Sequence, residues 1–347
     1  MDNYICEDVT LIIPTLNRFI HVKAYLEYLK KNKFAGTFLL ADSSNANAYN
    51  ETSTLIKNHY FDFKIKQIDC KNLKNFEAIK KVSKLVQTKY CMFIPDDDFL
   101  ILETLEKCKK FLENNNDYSV AGGINFLAIL DDKEKKIKYV NRYKVNPIEY
   151  ENVKERISYC LSNYTVINYS LSRTDQWQKR WPEYEIDNSF GTEIIPACLI
   201  ATQGKVKILN EIFCVREIHS DRYLFSNFFD RILSLNWSKT INTLINSVYE
   251  EIENNENSNK SEIENIIKNS LKIKLSQEAD KTRSLKKIIN VISAIKIKIL
   301  NIKNYFISDE EIYKNSFVVK RNRIFKSNYK NFIIIRNILV DFEKKYK

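Results

Sequence analysis

The sequence has little of the two residues that loosen or break a backbone: 347 residues hold five glycines and five prolines. None of those glycines falls in the first turn after an apolar run, Ile13-Pro14-Thr15-Leu16-Asn17-Arg18-Phe19. That absence excludes a glycine-rich phosphate loop there. The seven cysteines form no C-x-x-C pair and are odd in number, which argues for buried, reduced thiols in a cytosolic protein rather than a disulfide framework. No apolar run approaches the ~20 residues of a spanning helix. No secretory segment opens the chain either, so a cytoplasmic location is expected. Histidine is scarce: His21 and His59 lie in helical contexts and read as surface residues, while His219 follows a strand.

What is present describes a folded protein, with 44% hydrophobic and 29% charged residues. Its net charge of +11 is unevenly spread. Residues 281–347 hold 17 Lys and Arg against 5 Asp and Glu, so everything upstream is close to neutral. The basicity belongs to the tail and is separate from whatever chemistry lies before it.

The first hundred residues alternate two patterns. "VTLIIPT" (9–15) is a β-branched run that suits a buried parallel strand stopping at Pro14, with Asn17 capping the next helix. Phe19, Val22, Leu26 and Leu29 then recur at helical spacing. A strand (36–44), a helix ("NETSTLIKNHY"), a strand (63–69), a helix at about 74–88 and a strand (90–94) follow. This βαβαβαβ order predicts an α/β fold with a mostly parallel sheet and crossover helices. Polar residues gather where the strands end: Pro14, Thr15, Asn17 and Arg18; Asp42, Ser43 and Ser44; Asp96, Asp97 and Asp98. In an open α/β sheet those ends line the ligand crevice.

Farther on, "ETLEKCKKFLENNN" reads as a helix. "SVAGGINFLAIL" reads as a strand beginning at a tight Gly122-Gly123 turn, and a charged hairpin follows it. Residues 150–215 are mixed, and beyond about 221 the pattern becomes helical, with a polar hinge near 250–265. The expected division is an α/β domain over 1–220 and a helical, basic region over 221–347.

The aspartate trio in "CMFIPDDDFL" invites a hard divalent cation, since Mg²⁺ and Mn²⁺ take carboxylate oxygens and bridge them to substrate phosphates. Carboxylates two apart on an extended segment share a side, so Asp96 and Asp98 are expected to share one task and Asp97 to have another. The plainer alternative is a solvated acidic turn capping a helix near Leu102.

With these motifs in order, the sequence resembles the GT-A glycosyltransferases, in particular the family 2 inverting enzymes that use nucleotide sugars. "VTLIIPTLNR" is similar to the opening strand of that family, "LLADSSN" to its second strand, and "YCMFIPDDDFL" to its D-x-D strand. The likeness is good over about 8–130 and loose over 150–220. It implies that Pro14, Thr15, Asn17 and Arg18 wrap the nucleotide and that Asp42 accepts from the base. Asp96 would approach the ribose or the metal, Lys80 would face the diphosphate, and Asp97 or Asp98 would bind Mn²⁺ or Mg²⁺. Pro95 stands where members often carry their first aspartate, which leaves the choice between Asp97 and Asp98 open.

An inverting transfer needs a carboxylate base. Glu193, opening an apolar helix in "DNSFGTEIIPACLIATQG", is the first choice, with Asp187 and Glu185 behind it. The resemblance also lets His219 complete the metal site, with Arg216 and Arg222 as phosphate contacts. Trp177 and Trp181 are either an acceptor-stacking wall or core packing.

The tail segment 284–306 has one apolar helical face with lysines off it, fit either for an anionic membrane surface or for packing as an accessory domain. No module accompanies the charge that would suggest nucleic acid. The expected partners are a nucleotide-sugar donor, UDP-linked, and a glycan or lipid-linked acceptor, as in bacterial surface polysaccharide synthesis. A sugar-nucleotide pyrophosphorylase would need the missing glycine-rich loop. A non-catalytic scaffold working through its tail is the third class.

Overall fold

The computed structural model describes residues 6–131, 136–181, 190–220, 236–253, 259–283 and 337–338. Its first half follows the expected alternation: β1 (Val9–Thr15), α1 (Phe19–Lys31), β2 (Thr37–Asp42), α2 (Ala46–Asn58), β3 (Lys64–Asp69), α3 (Asn75–Ser83) and β4 (Tyr90–Phe93). These strands lie in the order β3-β2-β1-β4, all parallel, with Thr15 level with Asp42 and Ile12 level with Phe93. β1 continues through Pro14 to Thr15. The Ile12 carbonyl accepts from the Ile94 amide, so residue 12 turns its backbone toward β4. By the alternation of strands residue 14 turns the same way, just beyond the last β1–β4 pair. A proline is tolerated there because no partner needs its missing N–H.

Beyond β4 the sheet becomes mixed. β5 (Asp98–Leu100), α4 (Leu102–Asn114), β6 (Tyr118–Asp131), β7 (Lys136–Tyr143), α5 (Val153–Ser162), β8 (Leu171–Arg173) and α6 (Thr174–Gln178) come next. A π-helical turn, Phe190–Ile194, then runs into α7 (Ile195–Gln203), and β9 (Lys205–Ile218) closes the sheet. The full order is β3-β2-β1-β4-β8-β6-β9-β5, with β7 on β6. β8 is antiparallel to both β4 and β6, and β9 is parallel to β6, so β9 ends at the same edge as β1, β2 and β4. β5 runs against β9 and begins at that edge.

Gly122 and Gly123 do not make a turn; β6 runs straight through them. They are needed because β9 comes close. A Cβ on Gly123 would stand 2.6 Å from the Glu211 carbonyl oxygen, at a point where the β6–β9 register shifts.

One apolar cluster joins β1, β2 and β4 to α1 and α4, and it also buries Ile338. On a second cluster Trp177 and Trp181 pack edge-on to each other and against Phe93. Both indoles are buried, so they are core and not a stacking wall.

α8 (Trp237–Glu253) and α9 (Lys260–Arg283) are helical as expected. Ile241, Leu244, Ile245, Val248 and Ile252 of α8 and Ile263, Ile267 and Leu271 of α9 recur at helical spacing. They bury against α5, α7 and Phe190. No described helix is long and apolar enough to cross a membrane. The amphipathic segment 284–306 lies outside the described residues. All seven cysteines are free and buried.

Candidate active site

The turn after β1 is built by a residue in the left-handed region. Asn17 has φ 56°, which asparagine tolerates better than most residues. Asn17 does not cap α1, whose first flanking residue is Arg18. Its side-chain oxygen instead accepts from the Asn45 amide, and its own amide donates to Ser44 Oγ. The β1 turn is thereby stapled to the end of β2, and the Arg18 side chain is thrown over the sheet edge.

Asp42 is wholly buried. One of its oxygens accepts from the Ser44 amide at 2.9 Å and the other from Gln67 Nε2 at 2.8 Å, so it braces the crevice floor.

The aspartate trio is neither an acidic helix cap nor an extended segment. The Asp98 amide donates to the Pro95 carbonyl, which closes a turn, and the chain leaves as β5. Alternation therefore fails, and the three carboxylates divide as two and one. Asp96 accepts from Thr15 Oγ1 at 2.6 Å and stands 3.3 Å from Arg18 Nη1. Asp97 Oδ2 lies 2.7 Å from Arg18 Nη2 and 2.9 Å from His219 Nε2. On the other side Asp98 accepts from Arg216 Nε at 3.0 Å and from the Glu217 amide. The Arg216 guanidinium stacks over Tyr169 at 4.7 Å and Tyr143 at 5.8 Å. Arg216 is thus the counter-ion of Asp98 inside the protein.

These carboxylates are electrically unlike. Burial alone would raise Asp97, but the hydrogen bond from His219 and the Arg18 charge outweigh it and hold the carboxyl well below the usual range. Burial pushes Asp98 up to about 7, with Arg216 pulling the other way and the Asp97 charge adding to the rise. Burial likewise opposes the Arg216 charge, yet neighbouring Asp98 raises that guanidinium above its ordinary value.

Glu193 sits half-buried in the π-helical turn before α7, where Asn168 Nδ2 donates to the carbonyls of Thr192 and Glu193. Its charge and that of Asp98 both act on the Tyr169 hydroxyl, which burial pushes up first of all. Lys80 lies on α3, about 7.5 Å of helix rise beyond Asn75 and set back from the edge. Asp187, Glu185 and Arg222 lie outside the described residues.

Three participants went unread in the sequence. Glu217, the next-to-last residue of β9, is buried, and its charge acts on Arg18; it lies two residues before His219, which follows the strand. Tyr169 had no pattern to mark it. His21, expected at the surface, is half-buried and stacks on His219 at 5.5 Å, with Arg18 Nη2 3.2 Å from its Nδ1.

Among the described residues no three His, Cys, Asp or Glu side chains converge as a metal cage. A small divalent ion does not require one, since such ions are commonly held by one or two protein ligands plus substrate phosphates. Asp97 and His219 form a pair of that kind. Among the described residues Asp96, Asp98 and Glu217 are buried around this pair together with Arg18 and Arg216. A carboxylate oxygen and an imidazole nitrogen 2.9 Å apart at the sheet edge fit a divalent cation.

The architecture is that of the GT-A fold: a parallel first half of the sheet, a mixed second half, and an acidic turn at the shared edge. In particular, the chain is similar in structure to residues 1–349 of TarS from S. aureus in complex with UDP-GlcNAc. The TM-score is 0.50 and the identity 15%, over 77% of this chain and 72% of that one. A second structure of the same TarS fragment gives a TM-score of 0.49 at 14% identity, over 80% and 74% of the two chains. The mannosyltransferase PcManGT from Pyrobaculum calidifontis, in complex with GDP-Man and Mn²⁺, gives 0.42 at 11% identity, over 86% and 81%. The fold assignment rests on the first. No protein-family model and no curated protein matches the sequence.

Proposed function

We propose that this protein is a metal-dependent, inverting glycosyltransferase of the family 2 type. It would move a sugar from a nucleoside-diphosphate donor, UDP-linked by preference, to a glycan or lipid-linked acceptor. The observation that carries this reading is the meeting of Asp96, Asp97, Arg18 and His219 at the sheet edge, beside the turn that Asn17 staples to the end of β2. A parallel sheet offers its ligand crevice at that edge, and the cluster there suits a diphosphate with its cation.

In this reading Pro14, Thr15, Asn17 and Arg18 shape the donor subsite, Asp42 supports it from beneath, and Asp96 orients Arg18. Asp97 and His219 hold Mn²⁺ or Mg²⁺, which when bound offsets the charge that grows on the departing diphosphate. Asp98, with both oxygens on Arg216 and Glu217, keeps the strand that carries His219 in place. Glu193 takes the proton of the acceptor hydroxyl as it attacks the sugar carbon opposite the leaving diphosphate. Lys80, set back on α3, has a weaker claim on the diphosphate than Arg18. Residues 1–220 form the catalytic domain, and the region from 221 is its helical partner. The acceptor fits bacterial surface polysaccharide synthesis at the inner face of a membrane.

The test is thermal stability under titration with UDP, GDP, CDP and dTDP, each with and without Mn²⁺. Binding to the native state raises Tm by mass action. One nucleotide is expected to raise it, and more so with Mn²⁺. If none does under either condition, the proposal fails.

A further inference from the structure

The centre of the acidic cluster is occupied by a side chain, and in an unusual way. Arg18 Nη2 lies 2.7 Å from Asp97 Oδ2 and 3.0 Å from His219 Nε2, while those two atoms are themselves 2.9 Å apart. The same nitrogen is 3.2 Å from His21 Nδ1 and 3.4 Å from His21 Nε2. It carries two hydrogens for these four neighbours. His219 Nε2 cannot at once donate to Asp97 and accept from Arg18, so the triangle cannot be satisfied by hydrogen bonds alone. A carboxylate oxygen and an imidazole nitrogen converge on one positively charged point, as the ligands of a cation do. Arg18 is only one-fifth exposed, and its Nη1 also faces Asp96 at 3.3 Å.

We propose that Arg18 is a resident counter-cation that holds the divalent ion's place and competes with it for Asp97 and His219. Cation and donor diphosphate then enter together rather than cation first. The inference rests on the glycosyltransferase reading and deepens it. Three facts give it direction. The guanidinium is planar and forked, so it can leave Asp97 while keeping Asp96 and turn its freed face to a diphosphate. Arg18 is the first residue before α1, at the rim of the crevice, so this exchange needs only rotation of one side chain. The two ligands stay in position without it, because Asp97 follows Asp96, which Thr15 holds, and His219 follows β9, which the Asp98–Arg216 pair holds. Without a diphosphate, a divalent ion must displace Arg18 and leave it beside that ion, and like charges so close repel. With a diphosphate present the displaced guanidinium gains a new anionic partner. The coupling is reciprocal: whatever factor the nucleotide adds to ion affinity, the ion adds to nucleotide affinity.

Mn²⁺ binding by the full chain, followed by loss of the free-ion electron paramagnetic resonance signal, tests this without any turnover. Wild type is expected to bind Mn²⁺ alone weakly, and at least tenfold more tightly when UDP is present. Arg18→Gln is expected to bind Mn²⁺ alone at least tenfold more tightly than wild type, to lose most of the enhancement by UDP, and to bind UDP more weakly without metal. In the double variant with His219→Ala the gain disappears, which locates the ion. Arg18→Lys keeps one charge without the fork. It should fall between wild type and Arg18→Gln, and it decides the matter if the glutamine variant does not fold. Equal affinity of wild type and the Arg18 variants for Mn²⁺ alone overturns the inference, whatever UDP does. Absence of UDP binding by wild type, with or without Mn²⁺, counts instead against the UDP-linked donor and leaves the Mn²⁺-only comparison readable.

Discussion

At the scale of single residues, the buried Asp98–Arg216 pair shows how the acidic trio is tolerated. Its carboxylate has two partners, and its guanidinium lies over two tyrosine rings. Removing the carboxylate leaves buried a guanidinium that cannot shed its proton. Asp98→Asn is therefore expected to lower unfolding free energy by about 3–5 kcal/mol. The double variant with Arg216→Met should recover a good part of that loss. Urea unfolding of the two variants checks this, and a single variant no less stable than the double would show that the pair carries no such role. The thiols make a simpler point: burial raises Cys70 to about 11 and Cys91 to about 12, which makes both poor nucleophiles in the folded chain.

At the scale of elements, α8 and α9 supply much of the wall against which α5 and α7 are buried. Leu244 is completely buried in that wall, so Leu244→Ala should cost about 2–5 kcal/mol, scaling with the cavity it leaves. A chain ended at residue 220 would expose the apolar faces of α5 and α7, and is expected to aggregate or to melt well below the full chain. A soluble 1–220 fragment with the melting temperature of the full chain would contradict this packing role. Here the sequence was partly legible. The helical spacing of Ile241, Leu244, Ile245 and Val248 announces a helix with one apolar face, but spacing does not say what covers that face. The glycine pair reads as a turn for a related reason: glycine marks both turns and close approaches, and only the partner strand distinguishes them.

For the molecule as a whole, two aspartates pull its pH response in opposite directions. Asp97 is held below its ordinary value, so its charged form stabilises the fold above about pH 4. That contribution is lost as pH falls through and below this point. Asp98 is raised, so protonation as pH drops toward and below about 7 favours the folded state. Asp97→Asn is expected to be less stable than wild type at pH 7 and to lose less stability between pH 5 and pH 3. Urea midpoints across that range decide it, and an unchanged acid slope would mean that Asp97 is not the strongly held carboxylate described above.

The sequence by itself determined the parallel half of the sheet and the edge at which the site lies. β-branched runs alternating with amphipathic helices call for parallel strands joined by right-handed crossovers, and parallel strands all end on one side of the sheet. Tertiary structure alone decided which charge meets which. Arg18 and His219 are brought together over a separation of 201 residues, and the direction of Asp98 depends on a turn that breaks strand alternation. Ion pairs act through a few ångströms of space, and nothing in a linear pattern encodes distances between segments so far apart along the chain.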